Sequence, residues 1–308
     1  MICWLNITYS VALNRGRESP RLNRARVLLT GYVDFYLLGS QLAKTLLPFR
    51  MSLTFIGLGL NDERGITLEG LEEARRADAA YAEFYTNLMP NLDLRRLEQE
   101  IGKKVEVLSR TQLEDEGGQE LLRAASKERV VFLVPGDPMI ATTHVSLRLS
   151  LARMGIASRV VHAPSVVSAV CGATGLQSYK FGKSITVPRD QPFPRSVLET
   201  ISDNNDRGLH TLILLDVQAG ETSQMTIRDA LAKMTVADHR LETRLAVGVA
   251  RLGSRDEKVK ASRMKTLTNE DFGKGPHSII VVGRLHFMEA EALKLLCGAD
   301  AKDLSELT

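Results

Sequence analysis

The sequence predicts an α/β protein built from two α/β domains with a ligand cleft between them. From Met51 onward, short apolar runs alternate with helical patterns, which is the rhythm of α/β folds rather than of sandwiches or bundles. Glycine-bearing segments follow two of these runs, and open α/β sheets bind ligands at that end of a strand. A second alternating series begins near Arg159 after a short connection. We therefore expect an N-terminal domain at 51–160, a C-terminal domain at 161–300 and a tail at 301–308.

The first series alternates strands and helices up to Gly155. Its predicted strands are Leu53–Gly57, Ala79–Phe84, Val105–Leu108 and Val130–Val134. Its predicted helices are Leu68–Ala77, Leu92–Ile101, Gln119–Ala125 and Ala141–Met154. The spacing places Val145, Leu149 and Ala152 on one apolar face of the last helix, and Gly155 is a natural stop signal.

The second series has the same alternation with longer connections. Its predicted strands are Arg159–His162, Thr211–Leu215, Ala246–Arg251 and Ile279–Gly283. Its predicted helices are Ser165–Ala173, Thr226–Met234 and Phe287–Leu296. The run Asp203–Gly208 is rich in Asp, Asn and Gly, which favours a loop.

Residues 1–50 differ in composition from the rest of the chain. They carry seven of the 40 Lys and Arg residues, two of the 37 acidic residues and the only tryptophan, Trp4. By difference, 33 basic and 35 acidic residues remain, so the body of the chain is slightly acidic. We interpret 1–50 as upstream sequence outside the fold, with Met51 as the natural start. An arginine-bearing targeting extension and an accessory segment are the alternatives.

Three cysteines, Cys3, Cys171 and Cys297, lie far apart and have no histidine at metal-ligand spacing. This pattern indicates neither a disulfide framework nor a zinc site, so we expect no metal and a cytoplasmic protein. The most apolar stretch, 27–49, is interrupted by Asp34 and Lys44. We therefore predict no membrane span.

The first motif that bears on chemistry is Gly57-Leu-Gly-Leu60, continued by Asn-Asp-Glu-Arg-Gly-Ile-Thr67. A dinucleotide-binding fingerprint needs a third glycine where this sequence has Asp62, which argues against a Rossmann dehydrogenase. The two glycines that remain let a ligand approach the backbone at the end of the strand, or they form a tight turn only.

The second motif is Val134-Pro-Gly-Asp-Pro138, which follows a very apolar strand and continues to His144. Its prolines favour an extended backbone whose carbonyl and amide groups stay available. Asp137 can accept hydrogen bonds from a donor-rich ligand, or it can form an Asx turn within its own loop. Both readings stay open on the residues alone.

The third motif is Ala163-Pro-Ser165-Val166, continued by a run of small residues to Gly175. Small side chains at the start of a helix permit close approach of a ligand. Ser165 can cap the helix or contact that ligand, and capping is the commoner role.

Taken together, the three motifs resemble the tetrapyrrole-methylase superfamily of S-adenosylmethionine-dependent enzymes. Members carry a glycine-bearing first turn, a Gly-Asp-Pro loop and a Pro-Ser or Pro-Gly helix start. Within this superfamily, the finer resemblance is to the diphthine synthase family, and it covers 51–300 and none of 1–50. It rests on six motifs in the family's order, which are Gly57–Thr67, Glu83–Thr86, Gly136–His144, Gly175–Lys183, Ala250–Ser254 and Pro276–His277.

The resemblance implies S-adenosylmethionine as cofactor and two α/β domains around it. It implies methylation of the amino group on a modified histidine of translation elongation factor 2, a step of diphthamide synthesis that gives diphthine. It also implies a homodimer. By motif matching, the cofactor would contact Leu60, Asp137, Ile140, Ser165, Val166, Leu215, Leu252 and His277.

Other functions stay open beside this one. A methyltransferase of the same fold could act on a tetrapyrrole precursor or on ribosomal RNA, although the slightly acidic body disfavours a nucleic-acid partner. A ligand-sensing module would bind the cofactor without turnover. His144 and His277 are candidate bases, but loop histidines more often make structural hydrogen bonds, so we assign no catalytic residue. Two departures from the family pattern are Ser146, where an aspartate is expected, and Asn87, where a serine is expected.

Overall fold

The computed structural model describes residues 51–89, 91–189, 193–217 and 224–305, so the interpretation of 1–50 lies outside the described residues. These residues fold into two five-stranded sheets with helices packed against them, which confirms the predicted α/β class. Contacts group both sheets into one unit, 50–308, and the division at 160/161 stays a prediction. In the described ranges, no helix has the length and apolar character needed to cross a membrane.

The first sheet is entirely parallel, with the strand order β3-β2-β4-β1-β5. Its register pairs Gly57 with Val134, so the loops that follow β1 and β4 leave the sheet side by side. Its strands are β1 (Ser52–Gly57), β2 (Ala79–Ala82), β3 (Val105–Val107), β4 (Arg129–Val134) and β5 (Ala157–Val161). The helices that accompany it are α1 (Leu68–Arg76), α2 (Leu94–Ile101), α3 (Gln119–Ala125) and α4 (Val145–Arg153).

The second sheet is mixed, with the order β6-β7-β10-β8-β9 and only the β6–β7 pair parallel. Its strands are β6 (Ile185–Val187), β7 (Thr211–Leu215), β8 (Leu245–Ala250), β9 (Lys258–Arg263) and β10 (His277–Val281). Its helices are α5 (Val166–Thr174), α6 (Arg195–Asp206), α7 (Ile227–Ala237), α8 (Met264–Leu267), α9 (Phe287–Cys297) and α10 (Ala301–Leu304).

The central strands β1, β4, β8 and β10 are buried on both faces, which explains why they appear as continuous apolar runs. On one face of the first sheet, Phe55 and Phe132 pack edge to face with ring centroids 6.0 Å apart. On the other face, Ile56 and Leu133 pack with the helices that flank them. A rigid sheet with two covered faces holds the loops at its strand ends in fixed positions.

Helix α4 differs from the prediction in its start and in its buried face. It begins at Val145 rather than at Ala141, because Ala141 has a φ of +55°, a left-handed conformation that a helix cannot contain. The buried side chains are Leu147 and Leu151, whereas Val145 and Leu149 are about half exposed. Every second residue of this segment is apolar, so the spacing alone did not identify the face that packs on the core.

The prediction of a loop at Asp203–Gly208 is wrong for residues 203–206, because α6 continues to Asp206. The buried Asn204 explains this result. Its side-chain amide donates to the carbonyl oxygen of Lys183 at 2.9 Å and to Thr211 Oγ1 at 2.9 Å, and its oxygen accepts the Lys183 N–H at 3.1 Å. A residue type that favours loops is therefore held in the last helical turn by tertiary hydrogen bonds.

A buried carboxylate ties the Gly175–Lys183 motif to the start of α9. Glu289 is fully buried and accepts the Lys180 ammonium at 2.5 Å, the N–H of Gln177 at 2.9 Å and the N–H of His286 at 2.8 Å. His210 Nε2 lies 3.1 Å from the same carboxylate. Burial opposes ionisation, but the hydrogen bonds from His286, Lys180 and Gln177 outweigh it and lower the pKa of Glu289 to about 2.

We expect Glu289→Gln to destabilise the protein at pH 7 by about 3 kcal/mol, because the folded carboxylate has a depressed pKa. This contribution is complete above the ordinary pKa of 4.5 and is lost as the pH falls from there toward about 2. Urea denaturation at a series of pH values measures it. Glu291→Gln, an exposed change on the same helix, is the control and should alter stability little. A Glu289→Gln deficit that stays constant down to pH 2 would contradict this assignment.

Candidate active site

The first two motifs are joined directly at the carboxyl edge of the parallel sheet. Gly59 N–H donates to the Gly136 carbonyl at 3.2 Å, and Gly136 N–H donates back to the Gly59 carbonyl at 2.7 Å. Both glycines have positive φ values, 75° and 67°, which let the two loops turn toward each other. The glycines of two separate motifs therefore form one clasp at the sheet edge.

Gly57, the last residue of β1, is packed against the second and third motifs. A Cβ atom at this position would lie 2.5 Å from the Gly136 carbonyl oxygen and 2.7 Å from Ala163 Cβ. No side chain can occupy that space without moving backbone atoms. Gly57 thus explains how three motifs, far apart in sequence, approach one another closely.

Asp137 is 7% exposed and serves its own loop, since its Oδ1 accepts the Met139 N–H at 2.9 Å. The Asx turn that the sequence left as one alternative is therefore present. Its Oδ2 lies 2.7 Å from Nδ1 of His162, which follows β5. The carboxylate is held at both oxygens and keeps lone pairs that can accept a further donor.

A pocket of about 940 Å³, including its solvent-facing part, lies between these loops and the carboxyl end of β7, the turn after β8 and the start of β10. The eight residues matched by motif all line it. From the first sheet and the segment that follows it come Leu60, Asp137, Ile140, Ser165 and Val166; from the second sheet come Leu215, Leu252 and His277. The structure brings every predicted contact together, and their role in binding a cofactor stays a prediction.

His277 forms part of the wall on the side of the second sheet. It is 8% exposed, and its Nδ1 accepts the N–H of Ile227, the first residue of α7, at 3.4 Å. Its Nε2 is buried without a hydrogen-bond partner among the described residues. Burial lowers the pKa of His277 and the positive charge of Arg251 lowers it further, against the effect of the nearby Lys274 and Phe272 carbonyl groups.

His144, the other candidate base, lies outside the residues that line the pocket. It is 1% exposed, packs edge to face on Phe132 at 5.1 Å between ring centroids, and its Nδ1 lies 3.1 Å from the Pro138 carbonyl oxygen. Burial lowers the pKa of His144, which favours the neutral ring that donates from Nδ1 to that carbonyl. This histidine therefore supports the Gly-Asp-Pro loop through its hydrogen bond to the Pro138 carbonyl.

The pocket also contains polar residues that motif matching did not select. Thr86 and Asn87 come from the loop after β2, Asp216 directly follows β7, and Gln224 precedes α7. The Glu83-Phe-Tyr-Thr86 motif could have identified Thr86 and Asn87, because it ends at the first and directly precedes the second. Its Glu83 is fully buried, and its carboxylate accepts the N–H groups of Tyr85 and Thr86, each at 3.0 Å. Burial raises the pKa of Glu83, against the effect of these hydrogen bonds.

The two departures from the family pattern differ in position. Asn87 lies in the pocket wall, and its Oδ1 accepts the N–H of Leu88 at 2.9 Å. Ser146 is exposed on the first turn of α4, where its hydroxyl donates to the Thr143 carbonyl at 2.8 Å. The departure at Asn87 therefore affects the site, whereas the departure at Ser146 affects the surface.

Comparison with known proteins agrees with this architecture. Residues 52–268 match the family described as Tetrapyrrole (Corrin/Porphyrin) Methylases. Diphthine synthase from Methanosarcina acetivorans is 42% identical over 82% of this chain and 99% of its own length. The enzyme of the same name from Methanocaldococcus jannaschii is 43% identical over 80% of this chain and 98% of its own.

A solved structure extends the likeness from sequence to fold. A crystal structure of diphthine synthase superposes with a TM-score of 0.78 at 41% identity, covering 83% of this chain and 100% of that one. The sequence relatives and the superposed structure agree on one family of methyltransferases. The chain belongs to the tetrapyrrole methylases and, among them, to the diphthine synthase family.

Proposed function

We propose that this protein transfers a methyl group from S-adenosylmethionine to the amino group of a modified histidine in translation elongation factor 2, giving diphthine. The observation that carries the proposal is the convergence of eight motif-matched residues on one pocket. The names of the relatives support the acceptor, since diphthine is the product that those names state.

The residues of the pocket fit S-adenosylmethionine. Leu60, Val166, Leu215 and Leu252 offer an apolar surface suited to the adenine ring, while the Asp137 carboxylate can accept from hydroxyl or ammonium groups. His277 borders the same pocket from the side of the second sheet.

When bound, S-adenosylmethionine supplies an activated methyl group, so this chain needs to supply position rather than a nucleophile. The Gly59–Gly136 clasp and the Asp137 turn hold one wall, and Leu252 with His277 hold the other. The acceptor amine must be unprotonated when it attacks the methyl group. Asp216 lies in the same wall, beside the apolar end of β7, where its carboxylate can orient the amine by accepting a hydrogen bond from it.

We further propose a cytoplasmic homodimer with no nucleic-acid partner. Apolar side chains on the outer face of α9 support a self-association surface: Phe287, Met288, Leu295 and Leu296 are each more than half exposed. The slightly acidic balance of 51–308 supports a protein acceptor over RNA.

Transfer of labelled methyl from S-adenosylmethionine tests the proposal. We expect label on elongation factor 2 that carries the unmethylated diphthamide precursor and none on the unmodified factor. Calorimetry with the cofactor alone runs in parallel. If the cofactor binds but no label moves to the precursor, the acceptor is wrong; if the cofactor does not bind, the pocket assignment is wrong.

A further inference from the structure

We propose that Arg251 is a positioning residue, which holds Leu252 and His277 in the geometry that binds the methyl donor. This inference rests on the proposed function only for the identity of the donor. Arg251 does not line the pocket itself. It lies directly behind the second-sheet wall, in the Ala250–Ser254 motif.

The guanidinium of Arg251 joins two backbone segments, the turn at Asp256 and the segment from Phe272 to Lys274. Its side chain is 11% exposed. Its Nη1 donates to the Phe272 carbonyl at 2.6 Å and also to the Lys274 carbonyl. Its Nε and Nη2 donate to the Asp256 carbonyl at 3.1 and 2.9 Å, and Nε lies 2.7 Å from Asp256 Oδ2. The planar fork satisfies several acceptors at once, which a lysine ammonium cannot do in the same geometry.

The backbone of Arg251 is under constraint as well. Its φ is +51°, a conformation that costs a side-chain-bearing residue energy and persists only where the surroundings impose it. Its N–H donates to the Pro276 carbonyl at 2.9 Å. That bond joins the end of β8 to the residue immediately before His277. The turn after β8 and the start of β10 are therefore fixed to each other through one residue.

The contacts of Arg251 fix the positions of two residues that line the pocket, Leu252 and His277. Leu252, the next residue, turns into the pocket wall, and a Cβ on Gly253 would lie 3.3 Å from Cβ of Leu60 in the first motif. His277 follows Pro276 and is held from the other side by the N–H of Ile227. Loss of the guanidinium frees the 272–276 segment and the 252–256 turn, so both contacts lose their fixed positions.

Two variants test the inference. We expect Arg251→Met to raise the Kd for S-adenosylmethionine by about tenfold or more, because two wall residues lose their support. Arg251→Lys keeps the charge but loses the fork, so we expect an intermediate rise of about threefold. In methyl-transfer assays the effect should fall on the KM for the donor, with kcat at saturating donor within about twofold of the wild type. A role in stability alone would not produce this split between KM and kcat.

Arg263→Met is the matched control. Arg263 is also partly buried, pairs with Asp303 at 2.7 Å and donates to the Thr243 carbonyl at 3.1 Å, but it does not line the pocket. We expect it to lower the melting temperature and to leave the donor Kd unchanged. Calorimetry needs no acceptor protein, so a wrong acceptor leaves this test valid. A folded Arg251→Met protein with the wild-type Kd would overturn the inference, and if that variant does not fold, a wild-type Kd in Arg251→Lys would do so.

Discussion

Replacement of Asp137 by alanine is expected to lower kcat/KM for methyl transfer by about 100-fold, because the change removes a ligand acceptor and the support of its loop together. Without the carboxylate, the Met139 N–H and His162 Nδ1 lose their partner. The Gly-Asp-Pro loop then loses its turn, and Ile140 leaves its position in the wall. Calorimetry should report a weaker affinity for S-adenosylmethionine in the same variant.

Asp137→Asn separates the two contributions. Its side-chain oxygen can still accept the Met139 N–H, so the loop keeps its turn while the negative charge is lost. We expect a loss of about tenfold in kcat/KM. Asp93→Ala is the matched control, since Asp93 also accepts backbone N–H groups, from Arg95 and Arg96, but at the start of α2. Wild-type activity in Asp137→Ala would contradict the role of this carboxylate.

Replacement of Gly57 by alanine is expected to destabilise the protein by about 3 kcal/mol or more, because the added methyl group meets backbone atoms that cannot rotate away. The Gly136 carbonyl and Ala163 would both have to move. Since these atoms belong to the second and third motifs, we expect donor affinity to fall even in the fraction that folds. Thermal denaturation and calorimetry measure the two effects separately.

Gly172→Ala is the control for this change. Gly172 lies within α5, and a Cβ there would have no heavy atom within 4 Å. Alanine is the better helix former, so this variant should be more stable by about 0.5–1 kcal/mol. Equal stabilities of the two glycine variants would show that the close approach at Gly57 has been overstated.

Much of the first sheet could be predicted from the sequence because its signals are local. The apolar runs of β1 and β4 and the glycine at Gly102 each determine a strand or a helix end within a few residues. The grouping of the site residues came from the ordered motifs of a family. Composition and periodicity contained no information on which loops meet.

Other features depend on tertiary contacts and could not be predicted in this way. Strand β9 is short and mostly polar, and the brief alternation of its lysines with Val259 and Ala261 was too weak a signal to predict a strand, yet it pairs along its whole length with β8. The last turn of α6 depends on Asn204, whose hydrogen-bond partners Lys183 and Thr211 both lie outside the helix. Arg251 donates hydrogen bonds to backbone carbonyl groups of another loop. Every residue has a backbone carbonyl, so the sequence does not show which of them are the partners.

The most direct test of the proposed site is a crystal structure of the protein with S-adenosylmethionine or its demethylated product. We expect a ligand between the Gly-Asp-Pro loop and the Leu252–His277 wall, within hydrogen-bond distance of Asp137 and in contact with His277. A ligand bound elsewhere on the protein, or one in this pocket that touches neither Asp137 nor His277, would contradict it.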